Sequence, residues 1–268
     1  MKKYFLLGCI CLFMGILKAQ PVYFDIKKEA YNWSVGLTGG SGIVFGDIAF
    51  KPGYQFGLMA KKTHRPWLDL RLGVGMFNYT GIDADVQNIK KNNVLNGEMV
   101  ADYRNKPFYF NYQTSGLEAN VAARLKPIQM FNKKYEKAFD IGVLVGLGIS
   151  AFETKMDLLG SNNQTYAFTN GMSLAEVTKL LDKKYETLGQ IDDTKVIFGR
   201  YMRTSYLLGG VNFRFALNER MALGLDVLAK YTGSDLIDGQ QWKFDGNLSE
   251  SRDMLLQSGI TIEYMFGK

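Results

Sequence analysis

Apolar side chains recur at every second position in eight stretches of the chain. A period of two marks β-strands whose two faces meet different surroundings. In Asn32–Thr38 the apolar set is Trp33, Val35 and Leu37, and in Tyr54–Ala60 it is Tyr54, Phe56, Leu58 and Ala60. Leu68–Met76 sets Leu68, Leu70, Leu72, Val74 and Met76 against Asp69, Arg71, Gly73 and Gly75. Gly116–Leu125 is ambiguous by itself, because Leu, Glu, Ala and Arg favour helices and Leu117, Val121 and Leu125 also recur at helical spacing. Its alternation opposes Leu117, Ala119, Val121, Ala123 and Leu125 to Glu118, Asn120, Ala122 and Arg124, and seven unambiguous neighbours make it a strand. Phe139–Ser150, Leu207–Phe215, Met221–Tyr231 and Leu256–Phe266 complete the set.

The connectors alternate in length. Short ones lie around Lys62–Pro66 and Ala216–Glu219, with a modest basic stretch at Lys126–Lys137. Long ones are expected at Gly39–Gly53, Phe77–Gln113, Phe152–Ser205 and Thr232–Met254. Short turns at one end and long loops at the other describe an up-and-down meander. In outer-membrane barrels the short turns face the periplasm and the long loops face outside.

Two barrels compete for this pattern. A soluble, lipocalin-type barrel keeps aliphatics inside and crowds its outer face with Lys, Glu, Gln and Thr. Here the polar face is mostly Gly, Asn and Ser with one or two charges per strand, which suits a narrow interior filled by side chains. The apolar face runs unbroken over five or six alternate positions in several strands, the length a tilted spanning strand needs. Aromatics gather at strand ends: Tyr31, Trp33, Phe139, Phe213, Phe215, Tyr264 and Phe266 at the turn end, Tyr54, Phe56 and Tyr231 at the loop end. Such girdles mark the two membrane interfaces. The expected fold is therefore all-β, an eight-stranded antiparallel up-and-down transmembrane barrel. On this reading Asp69, Glu118, Asp140, Asp226 and Glu263 share the lumen with Arg71, Arg124, Arg214 and Lys230. Buried charges persist where they are paired, so a salt-bridge network plugging the barrel is expected.

The N-terminus carries Met1-Lys2-Lys3, an apolar run from Tyr4 to Leu17, and Leu17-Lys18-Ala19. That is the layout of a secretory signal peptide cut after Ala19, leaving residues 20–268 as the barrel. Its removal takes Lys2, Lys3 and Lys18 with it and lowers the net charge from +6 to +3, so the basic balance is no argument for nucleic acid. Cys9 and Cys11 leave too, which excludes disulfide and thiol chemistry from the mature chain. One histidine, His64, in a turn, gives no base for catalysis and no transition-metal set. The acidic pairs Asp83/Asp85, Asp192/Asp193 and Asp235/Asp238 lack the spacing of a calcium loop. No catalytic residue, cofactor or metal ligand is expected, and the chain reads as a non-enzyme.

One helix is expected, in the third long loop. Ser173-Leu174-Ala175-Glu176 is a capping box, followed by Leu174, Val177, Leu181 and Tyr185 on one face. The helix is read either as packing over the barrel mouth or as a partner-contact element.

Gly209–Trp242 resembles the last hairpin of small outer-membrane barrels from bacteria with type IX secretion, the PorG-like barrels, and of the related OmpA-type N-terminal barrels. The matching features are Leu217-Asn218-Glu219-Arg220 between strands and the acidic run Ser234–Gly239, with Gly46-Asp47-Ile48 in the first loop as a further likeness. The PorG form carries a second aromatic and a doubled Asp where Gly239 stands here. With strand eight ending at Lys268, an OmpA-type peptidoglycan-binding domain is not expected. The resemblance implies an outer-membrane protein in contact with membrane lipid and lipopolysaccharide, acting as an assembly component. Its partners would be other envelope or secretion-machinery proteins. The alternative is a small ligand-binding or transport-type barrel that uses its long loops.

Overall fold

A computed structural model of the protein describes residues 32–46, 50–82, 87–88, 107–131, 139–188, 201–234, 237 and 252–267. Eight long strands carry the architecture: β1 (Trp33–Phe45), β2 (Phe50–Arg65), β3 (Leu68–Ile82), β4 (Asn111–Leu125), β5 (Phe139–Met156), β6 (Met202–Ala216), β7 (Met221–Thr232) and β8 (Met254–Phe266). Each pairs antiparallel with its neighbours in sequence, and β1 pairs β8 from Trp33↔Phe266 to Phe45↔Met254. The sheet is thereby a closed, eight-stranded, up-and-down antiparallel barrel. Gly116–Leu125 lies wholly within β4, so alternation outweighs helix propensity there.

The partners also define how the strands are staggered. Followed from Ala151 through Leu117, Met76, Phe56, Gly39, Ile260, Leu225 and Phe213, they return to β5 at Ile141, ten residues from the start (151 − 141). Eight strands with that stagger tilt by roughly 40° and enclose a lumen just wide enough for side chains.

The strands run further toward the loop end than the apolar alternation does. The first long loop, expected over Gly39–Gly53, shrinks to residues 46–49 because β1 and β2 continue as a hairpin. At that height the outward positions are Ser41, Tyr54, Asn78 and Ser115 rather than aliphatics. The hydrogen-bonded wall outlasts its greasy coat, and an apolar pattern registers only the coat.

Outward faces are aliphatic and bare: Leu37, Ile149 and Leu207 are 64–65% exposed, and Leu72, Val74, Leu117, Val145 and Ile260 stand out beside them. Beyond the wall, two-residue strands Gln87–Asn88 and Pro107–Phe108 pair with each other, and Thr187–Leu188 extends the ladder of β5 at Lys155 and Met156. Helix α1 (Pro127–Phe131) fills the turn between β4 and β5, and α2 (Leu174–Leu180) lies in the third long loop. The N-terminal segment 1–19, Tyr31 and the acidic pairs Asp83/Asp85, Asp192/Asp193 and Asp235/Asp238 lie outside the described residues.

At the closing seam, a Cβ on Gly40 would collide with the Ser258 carbonyl and lie 2.5 Å from the Gly259 Cα, whereas one on Gly209 would meet nothing within 4 Å. Gly40→Val is therefore expected to lower the unfolding free energy by about 1–3 kcal/mol, the range for overpacking, while Gly209→Ala changes it little. Urea titration of protein refolded into lipid vesicles, followed by tryptophan fluorescence, reads both.

Candidate functional site

Inward positions of the eight strands are filled by glycines, a few aliphatics and a connected set of charges. The turn-end tier centres on Arg124 of β4. Its Nη1 lies 3.1 Å from Asp69 of β3, its directly paired neighbour, and 2.9 Å from Asp140 of β5. Its Nε donates to Asn212 Oδ1 at 2.6 Å, and Asn212 passes the chain on to Asp226 at 2.6 Å. Gly142 makes room for that guanidinium, since a Cβ there would overlap it. Lys126, just after β4, holds the other side of Asp69 at 2.8 Å. Glu263 of β8 bridges Lys61 of β2 at 2.5 Å and Arg214 of β6 at 3.1 Å.

Two ion pairs cross the lumen from one wall to the opposite one. Arg71 of β3 reaches Asp226 of β7 at 2.8 Å, and Lys230 of β7 reaches Glu118 of β4 at 2.6 Å. Lys230 is 1% exposed and its ammonium also sits 4.9 Å from the centre of the Tyr206 ring. Each of the nine charges named from the sequence thus has an opposite partner within the wall. Charges buried this deeply are tolerable only as pairs; those of Arg124 reinforce the ladders on either side of β4, and those of Lys61, Arg214, Arg71 and Lys230 tie strands that share no ladder.

Lys61, Lys126 and Asn212 belong to this set and sequence reasoning passed them over. Lys61 keeps the inward parity of Gln55, Gly57 and Met59, and five acids against four bases left one positive charge to find. Lys126 lies beyond its strand, where parity says nothing.

Above the charges the lumen turns apolar. Phe77 and Tyr79 stack at 5.0 Å, Tyr79 accepts a hydrogen bond from Gln257, and Val44, Phe152, Met202 and Leu255 close around them. Ile237, carried by the last long loop, enters this cluster and is 1% exposed. The Thr114 hydroxyl donates to its carbonyl, and its amide donates to Asp253 Oδ2 at 2.7 Å. The barrel mouth is stoppered by a residue whose backbone is fastened to the rim.

The third loop forms a cap with its own core. Phe108, Tyr109, Phe110 and Tyr112, leading into β4, pack with Met156, Leu158 and Phe168, and with Val177 and Leu181 of the helical segment. The capping box is present: the Ser173 hydroxyl accepts from the Glu176 amide, and the Glu176 carboxylate accepts from the Ser173 amide at 2.7 Å. That hydrogen bonding holds the Glu176 carboxyl below its ordinary range.

The partner-contact face read from the sequence needs correction. Val177 is fully buried and Leu181 nearly so, turned into the cap, which leaves only Leu174 exposed. Tyr185 is not on the helix, because α2 ends at Leu180 and the chain turns through left-handed backbone at Lys183 and Tyr185. Packing against the aromatics of the loop took the apolar stripe that an isolated helix would have offered outward.

Asp157 knots this cap together. Its carboxylate accepts from the Tyr166 hydroxyl at 2.5 Å and the Lys183 amide at 2.6 Å, while Asn111 bonds its backbone on both sides. Burial pushes its carboxyl pKa up against those hydrogen bonds. Asp182 and Glu186 come close enough to form a three-carboxylate group with it. The chain's own donors already hold these oxygens: Glu186 accepts from the Leu158 and Leu159 amides at 2.8 and 2.6 Å. His64, near the end of β2, is exposed at the turn end.

No protein-family model and no curated protein matches the sequence. In backbone comparison the chain is similar to the outer-membrane protein OprG from Pseudomonas aeruginosa, with 10% identity over 88% of this chain and 97% of that one and a TM-score of 0.43. A major outer membrane protein from Thermus thermophilus gives 12% identity over 86% and 99% at a TM-score of 0.42. Neisserial surface protein A gives 9% over 87% and 97% at 0.40. Likenesses at this level do not extend to side chains.

Removing Arg124 would strand Asp69 and Asp140 as buried charges. Arg124→Met is expected to cost about 3–5 kcal/mol of unfolding free energy, the range for breaking a buried pair from one side. Arg124→Lys, which can keep one of the two contacts, should lose less. Urea unfolding in vesicles measures the difference.

Proposed function

We propose that the protein is a non-enzymatic outer-membrane barrel, exported by a signal peptide cleaved after Ala19, that serves as a structural or assembly component. The observation that carries this reading is the pairing of an all-round outward belt of bare aliphatics with a lumen closed by ion pairs. In water such a belt would be a large exposed apolar surface, which soluble monomers avoid; in a bilayer it is the required coat. Closing the sheet satisfies every strand's backbone, which hydrocarbon demands. Trp33, Tyr264 and Phe266 at one end and Tyr54 and Tyr231 at the other stand exposed where headgroups would lie.

A plugged barrel transports nothing through its middle. The cross-lumen pairs Arg71–Asp226 and Lys230–Glu118, with Ile237 above them, support an anchoring role over a conducting one. The cap supports the same choice, since its aromatic side chains pack on one another and leave a folded platform rather than an open cleft. The sharper role, a place in the type IX secretion assembly, rests on the resemblance of Gly209–Trp242 to PorG-like barrels. Of the acidic loop in that resemblance, Ser234 and Ile237 are within the described residues.

Two measurements test the reading. In planar bilayers the purified protein is expected to show no steps of porin size, and a stable porin-like current would overturn the plugged barrel. Affinity capture from native outer membranes in mild detergent, through a tag between α1 and β5, is expected to bring down stoichiometric envelope or secretion partners. A barrel recovered alone would overturn the assembly role.

A further inference from the structure

A barrel of twisted strands is a hyperboloid, hollow along its axis on the outside. Across β1–β6 this hollow is an open concavity of about 1030 Å³ on the outward face. Its floor follows one row of partners, Val74↔Ala119↔Ile149↔Ser205, in which Ala119 and Ser205 stand low on either side of Ile149. The next row toward the loop end is Met76↔Leu117↔Ala151↔Arg203. The hollow is therefore mostly apolar and ends, on its loop side, at a guanidinium.

Arg203 is the anomaly in that surface. It is exposed, it points outward from the wall, and among the described residues none forms an ion pair with it. Glu153, two positions beyond Ala151 on β5, is buried and already holds Lys155 at 3.2 Å. A cation facing hydrocarbon is costly at the middle of a bilayer and tolerable near the interface. Arg203 lies two residues from the exposed Tyr201, at the loop edge of the apolar belt. An arginine there matches a phosphate, which its planar fork binds bidentately.

We propose that this hollow is a binding site for one phosphorylated glycolipid of the outer leaflet, its phosphate on Arg203 and an acyl chain lying over Ala151 and Ala119. The assignment rests on the outer-membrane barrel proposed above, with its long loops facing outside as such barrels orient. Charge complementarity selects the headgroup, and the shape and apolarity of the hollow select the chain. The lipid is a fixed part of the wall rather than bulk solvent.

The test uses the full mature protein in nanodiscs of phosphatidylcholine doped with bis-phosphorylated lipid A, with or without an equal amount of phosphatidylglycerol. After transfer to mild detergent, native mass spectrometry counts the lipids that stay bound, and carbonate extraction of the same protein from vesicles reports insertion. One retained lipid A is expected, falling at least tenfold in Arg203→Ala and in Ala151→Trp, which fills the hollow and leaves the charge. Lys62→Ala, which removes an outward cation at the turn end, is expected to retain lipid as the unchanged protein does. Equal retention by Arg203→Ala, or retention of phosphatidylglycerol in place of lipid A, would overturn the site. A protein that inserts but keeps no lipid overturns the site alone; one that carbonate strips from the vesicles overturns the membrane reading beneath it.

Discussion

Everything in this molecule depends on the ladder between β1 and β8. Without it the sheet would have two edges and its inner face would be open to solvent. With it, the inner positions of all eight strands face one another across a space about as wide as their side chains. Closure is what turns Asp226 and Arg71, on β7 and β3, into neighbours at 2.8 Å. It also makes isolated charges costly, because the inner positions face one another rather than bulk solvent. Glycines at the seam and beneath Arg124 answer the same crowding from the other side, leaving out a Cβ where the wall or a guanidinium comes too near.

The lumen that results has an order along its axis. Dense ion pairing fills the turn end, two cross-lumen pairs stand above it, and an aromatic and aliphatic layer with Ile237 closes the mouth. Buried pairs are poor sources of net stability, since desolvation offsets most of their attraction. Their effect here is to specify register: slipping a strand that carries them by one residue would send its charges outward and its aliphatics inward. A narrow barrel with so many inward charges has very few ways to close.

Beyond the wall the protein behaves like a small soluble domain. The cap buries Phe108, Tyr109, Phe168 and Val177 around an Asp157 knot and offers mostly polar groups to the outside. The transition from one kind of surface to the other occurs within continuous strands. β1 keeps its hydrogen bonds to β2 past the level at which its outward residues change from Leu37 to Ser41. An apolar exterior, a polar rim and a folded cap are thus three environments written along the same ladders.

Local pattern determined a good deal. Alternation with period two identifies eight strands, assigns each residue a face, and overrides helix propensity at Gly116–Leu125, because a side chain's face depends only on its own strand. The capping box at Ser173 and Glu176 is equally local, and α2 begins where it says. What alternation could not supply is anything that depends on the stagger of ten residues around the barrel. That stagger decides that Lys230 meets Glu118, that Arg124 serves two carboxylates, and that Lys61 completes the balance at Glu263. The end of α2 at Leu180 and the burial of Val177 were likewise settled by aromatics sixty and more residues upstream. Faces are a property of neighbours along the chain; partners are a property of closure, and only the closed barrel contains it.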